Sequence, residues 1–135
     1  MSKLNPRHPV NATPPPRLLP LLQNIKTAYI LWYRYYQALP KIHRYSLGQR
    51  TDKLFIEIME MVSIAAFLSK QEKLPYVQAA IRKLDTLKLL LLVMWETDSL
   101  HQQKYIALSI PLDEIGKRLD GWNGQIIQQN SPPKL

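Results

Sequence analysis

Cysteine is absent from this 135-residue chain, which removes disulfide frameworks, thiol catalysis and cysteine-ligated zinc together. Glycine is scarce, with four residues, and none of them falls into a dinucleotide fingerprint, a P-loop or a Gly-x-Ser-x-Gly elbow. The longest apolar run, Leu89 to Trp95, has seven residues, far short of the roughly 20 that a membrane-spanning helix needs. The opening Met1-Ser2-Lys3-Leu4-Asn5-Pro6 lacks the apolar stretch of a secretory signal, so a cytoplasmic protein is expected. No segment alternates with period two, and no strand is expected. The three histidines, His8, His43 and His101, form no His-Glu-x-x-His pair. A di-iron bundle needs Glu-x-x-His on two helices, whereas Asp98-x-x-His101 stands alone as a solvated helix start. Glu57 and Glu60 have Lys53 and Ile64 as next-turn neighbours and read as surface charge. No metal, no cofactor and no enzymatic activity is expected.

What remains is ordinary in bulk and uneven in layout. Hydrophobic residues make up 46 % and charged residues 21 %, values that exclude global disorder. Seven of the 11 prolines (Pro6, Pro9, Pro14, Pro15, Pro16, Pro132, Pro133) lie at the two ends. Residues 1–16 are therefore expected to be a Pro-rich flexible arm, 17–128 a helical domain and 129–135 a disordered tail.

Four amphipathic segments fill the middle. Leu18, Leu22, Ile25, Tyr29, Trp32, Tyr36 and Leu39 recur at helical spacing. That predicts a first helix from near Arg17, with Pro20 in its first turn and Pro40 as its stop. Ser46 and Gln49 have capping-box spacing and predict a second helix from about Leu47 to Leu68, with Leu47, Leu54, Ile58, Met61, Ala65 and Leu68 inward. The third is expected from Leu74 or Pro75 to about Thr97, burying Val77, Ile81, Leu84, Leu87, Leu91 and Met94 or Trp95. Ser99 and Gln102 repeat the capping spacing and open a fourth helix to about Gln128, with Leu108, Leu112, Ile115, Leu119, Trp122 and Ile126 inward. Pro111 either kinks that helix, the expected outcome, or marks a fresh start capped by Ser109 with Asp113 and Glu114 at its positive end. Four such helices with short connections predict an all-α, antiparallel up-down four-helix bundle.

Charge and apolar excess are both localised. Residues 1–53 hold nine basic residues and one acid, Asp52, a net +8, while residues 54–135 balance nine against nine. A confined positive field attracts polyanions, and counterion release gives it salt-dependent affinity for nucleic acid. From Tyr29 to Arg50, cations interleave with tyrosines, as nucleic-acid recognition requires: charge for phosphate and planar faces for bases. Tyr29, Trp32 and Tyr36 belong to the core stripe, which leaves Arg34, Lys41, His43, Arg44, Arg50 and Lys53 as candidate contacts, with Tyr33 or Tyr35 beside them. The run Leu89-Leu90-Leu91-Leu92-Val93-Met94-Trp95 covers every direction around a helix. One stripe suffices for a bundle, so Leu89, Leu90, Leu92, Val93 and Trp95 are expected to meet a second copy or another partner. Gly116 and Gly121, each costing up to about 1 kcal/mol in a helix, suit a close approach by a neighbouring helix or subunit, or are simply tolerated.

Three stretches carry a family resemblance: Tyr45-Ser46-Leu47-Gly48-Gln49-Arg50, Lys83-Leu84-Asp85-Thr86-Leu87-Lys88, and Leu112-Asp113-Glu114-Ile115-Gly116-Lys117-Arg118-Leu119-Asp120-Gly121-Trp122. Together they resemble the accessory variability determinant (Avd) proteins of diversity-generating retroelements, and their relatives encoded in intervening sequences of 23S ribosomal RNA genes. The resemblance spans roughly residues 20–128. It implies a ring-like homopentamer of four-helix bundles without catalytic activity. It further implies binding to a reverse transcriptase and to template RNA or its RNA/DNA hybrid, in support of mutagenic cDNA synthesis. Lys88 matches a basic position of the family's charged surface; Leu92 stands where some relatives carry a second cation, and Asp120 replaces the first glycine of Gly-Gly-Trp. The alternative that the resemblance leaves open is an intervening-sequence-type oligomer of structural or unassigned role.

Overall fold

A computed structural model of the chain describes residues 19–130. The expected arm at 1–16, the start at Arg17, Leu18 and the tail from 131 onward lie outside the described residues. Helix α1 spans Leu19–Ala38, α2 Lys41–His43, α3 Gln49–Ala66, α4 Lys70–Glu96 and α5 Gln102–Asn130. Between α2 and α3 lies a π-helical turn, Arg44–Gly48, whose flanking residues His43 and Gln49 both hold right-handed helical dihedrals. Thus α2, the π turn and α3 form one rod, and the fold is four packed helical rods with no strand among the described residues.

The rods close into a ring in which α1 touches α3 and α5, and α4 touches α3 and α5. Each contributes one stripe to a shared core: Leu21, Ile25, Ala28, Trp32 and Leu39 from α1, and Leu54, Phe55, Ile58 and Val62 from α3. From α4 come Val77, Ala80, Leu84, Leu87, Leu91 and Met94, and from α5 Leu108, Leu112, Ile115, Leu119, Trp122 and Ile126. Burial at roughly 1.5–3 kcal/mol per large apolar side chain is the main force holding the rods together. Leu22, Tyr29 and Tyr36 are half-buried rather than central, because Leu21 and Ala28 occupy the innermost line of α1.

The helix ends depart from the sequence expectation at four places. The second rod begins at Lys41, directly after Pro40, not at Leu47. Ser46 is no cap: it lies inside the rod, where its hydroxyl donates back to the Ile42 carbonyl at 2.9 Å. Helix α4 begins at Lys70, more than a turn before Pro75, because extended Ser69 offers its backbone carbonyl to the amides of Glu72 and Lys73 at 3.0 and 3.1 Å. Ser99 belongs to the end of α4, not to the start of α5. Asp98 takes a left-handed φ of 61°, its amide donates to Trp95 O at 3.1 Å and the Ser99 amide to Met94 O at 2.9 Å. This is the Schellman pattern, with aspartate where glycine is usual, and the Ser99 hydroxyl reinforces it at 3.0 Å. Finally, α5 runs unbroken through Pro111 to Asn130, two residues past the expected end, and Ser109 donates to Tyr105 O at 2.8 Å instead of capping a new helix.

Candidate nucleic-acid interface

The corner between α1 and α3 is built around two side groups, one missing and one anchored. Gly48 is buried, and a Cβ there would lie 3.0 Å from the His43 carbonyl oxygen, from Leu39 Cδ1 and from Tyr36 Cε1. Only glycine lets the π turn rest on the last turn of α1. Arg44 clamps the same junction: its Nη2 donates to the carbonyls of Gln37 and Leu39, both at 3.0 Å, satisfying the open end of α1. Its Nε is buried without a hydrogen-bond acceptor.

With those groups folded inward, the corner turns others outward. Ile42 is 78 % and Tyr45 66 % exposed, beside exposed Lys41. Along the same rod follow exposed Gln49, Arg50 and Lys53. On α1, exposed Lys26, Ile30, Tyr33, Arg34 and Gln37 share the side away from the core. A π turn is a rare element that recurs at functional sites, and here it carries the exposed tyrosine.

The acid of this region does not neutralise its cations. Asp52 accepts the indole N–H of Trp32 at 3.1 Å. Burial and a hydrogen bond to the same carboxylate push the Tyr29 hydroxyl up to about 12. Tyr36 is also raised, by burial first and then by the charge of Asp52, against the lowering effect of Arg44. The carboxylate thus serves an aromatic cluster in which Trp32 stacks on Tyr36 and Phe55, and Tyr29 meets Phe55 edge-on. Lys26, Arg34, Lys41 and Lys53 form no ion pair with any described carboxylate, whereas Arg50 has a long one to Glu57 at 3.9 Å, shared with Lys83 at 3.5 Å.

The candidate contacts therefore divide. Lys41 and Lys53 stand free on the corner rod and Arg34 on the outer side of α1. His43 is half-buried at the corner, Arg44 is a structural clamp and Arg50 is partly neutralised. Lys88 is elsewhere, in a cleft between α4 and α5, bound to Asp113 at 3.1 Å. Lys26 and Ile42 were not singled out by the sequence, although Lys26 keeps helical spacing with Ile30 and Tyr33.

The apolar run of α4 is largely absorbed within one chain. Leu91 and Met94 are buried, Leu90, Leu92 and Val93 half-buried, and only Leu89 at 56 % and Trp95 at 36 % are exposed. The run is covered on two sides because α3 and α5 both flank α4, so less of it faces water than a single buried stripe predicts. Gly116 faces α4 within the same chain, where an added Cβ would meet Lys88 Nζ at 3.4 Å and Leu84 Cδ2 at 3.5 Å. Gly121 borders open space.

Among the described residues no group of three or more His, Asp or Glu is placed to hold a metal ion, and no helix is long and apolar enough to cross a membrane. Compared with protein-family models, curated proteins and solved structures, the chain finds no match.

Proposed function

We propose that the protein is a non-catalytic accessory protein that binds RNA through the α1–α3 corner and the outer side of α1. The observation that carries this reading is uncompensated charge: Lys26, Arg34, Lys41 and Lys53 are exposed without an ion pair among the described residues, while Asp52 is committed to Trp32. Such an array favours a polyanion, and the exposed Tyr45 and Tyr33 add planar faces for unstacked bases.

The resemblance to Avd proteins supplies the partners in this reading: a reverse transcriptase, the template RNA of a diversity-generating retroelement, and further copies of the chain in a cytoplasmic ring, a homopentamer. An antiparallel up-down order of the helices is supported by pairings whose numbers rise on α4 as they fall on α5, from Lys73 over Trp122 through Lys88 with Asp113 to Trp95 on Tyr105. Leu89, left uncovered by the monomer, is the part of the apolar run that suits contact with a second copy.

Fluorescence anisotropy with a labelled single-stranded RNA tests the reading. The K41E/K53E double variant is expected to bind at least tenfold more weakly at low salt. The slope of log affinity against log salt should be shallower by about 0.7 for each phosphate the variant no longer neutralises, with an unchanged elution volume. Wild-type protein that ignores RNA at low ionic strength overturns it.

A further inference from the structure

The sequence treats Trp95 as an apolar surface residue and passes over Lys104 and Tyr105, but the fold joins them. At the α4–α5 turn the Trp95 and Tyr105 rings stack, with centroids 5.3 Å apart and planes within 9° of parallel. Next along α5, Lys104 Nζ sits 5.2 Å from the centroid of Tyr35, on the last full turn of α1 before the corner. The aromatic pair is thus tied through Lys104 to the same end of α1 that the Arg44 clamp closes. We infer that Trp95 and Tyr105 form a base-stacking platform that extends the corner site to take an unpaired base of single-stranded RNA, with Lys104 serving the adjoining phosphate. The inference rests on the RNA-binding reading above and goes beyond it in assigning the platform and the strandedness of the ligand.

Charge selects what the ring can hold. Glu96 and Asp98, both exposed, flank Trp95 in the chain and disfavour a phosphate directly against it. A neutral base has no such conflict, and its π-face stacks on indole whatever its identity. Duplex RNA keeps its bases paired within the helix and offers the ring nothing. Trp95 also remains 36 % exposed despite its stacking partner, whereas Trp32 and Trp122 are 0 % and 5 % exposed. Quenching of tryptophan emission by an oligonucleotide therefore reports on Trp95.

The test is titration of the full chain with a short oligouridylate and with an RNA duplex of equal length, read by tryptophan emission and by anisotropy. Expected are saturable quenching by the single strand alone and a loss of affinity of roughly 5- to 100-fold in W95A, with W95F close to wild type. W95L keeps apolar bulk without a π-face and is expected to follow W95A, which separates stacking from folding. If K41E/K53E weakens binding while W95A and W95L do not, and no quenching is seen, the platform is overturned and the cationic corner stands. If W95A changes the oligomer's elution while RNA affinity is unchanged, Trp95 is a protein contact and the platform is likewise overturned. If the wild type binds no RNA at low salt, the functional reading itself fails.

Discussion

The indole nitrogen of Trp32 and the carboxylate of Asp52, twenty positions apart in the chain, meet at 3.1 Å and join α1 to α3 through the region's sole acid. Removing the acceptor leaves a buried indole N–H unpaired at a cost of about 1–3 kcal/mol. Asp52→Ala is expected to lower stability by that amount in urea unfolding, and Asp52→Asn, which retains an acceptor oxygen, by less.

Tyr29 makes the same cluster sensitive to alkali. Its hydroxyl is held up to about 12 by burial and by Asp52, against an ordinary value of 10.0. Between those values the unfolded chain releases the tyrosine proton and the native state keeps it, so stability is full below about pH 10 and declines toward pH 12. Melting temperature measured across that interval is expected to fall more steeply in the wild type than in Tyr29→Phe.

The glycines separate packing from tolerance. Gly48→Ala drives a methyl against a backbone oxygen at 3.0 Å and is expected to cost about 1–3 kcal/mol. Gly121→Ala meets nothing within 4 Å and should stabilise the isolated bundle by up to about 1 kcal/mol. If Gly121 lies against a second copy, the same substitution lowers the apparent oligomer size in sedimentation velocity instead.

Arg44 is expected to behave unlike its basic neighbours. Arg44→Ala releases the Gln37 and Leu39 carbonyls and should destabilise by about 1–3 kcal/mol. Lys41→Ala should leave the melting temperature nearly unchanged, since its ammonium holds no described carboxylate.

Asp98→Gly relieves a left-handed backbone angle that disfavours most side chains. The expected gain is about 0.5–1 kcal/mol by thermal unfolding, with no change in RNA affinity.

Helical spacing alone located the four rods, and on α5 it found every core position from Leu108 to Ile126. Long helices with one strict stripe leave little choice of face. It failed where short-range chemistry has two outcomes. A serine three residues before glutamine caps a helix, but Ser46 back-bonds inside one and Ser99 closes the helix before it. A π turn leaves no pattern in composition, so Gly48 appeared as part of a motif without its steric reason. For the site, charge asymmetry was plain in the sequence. Which cations are free was not, because that depends on where Asp52, Glu57 and Asp113 point once the rods are packed. Trp95, Tyr105, Lys104 and Tyr35 come from three segments, and only tertiary contact joins them.

The five-residue π turn has a consequence for how this protein tolerates change. An α-helix advances about 100° per residue, so one additional residue offsets everything before it by that angle from everything after it. Lys41 and Ile42 are in this way aimed independently of the inward line through Thr51, Leu54 and Ile58. Removing a single residue between Arg44 and Gly48 would swing the display by more than a quarter turn while the downstream layer stayed seated.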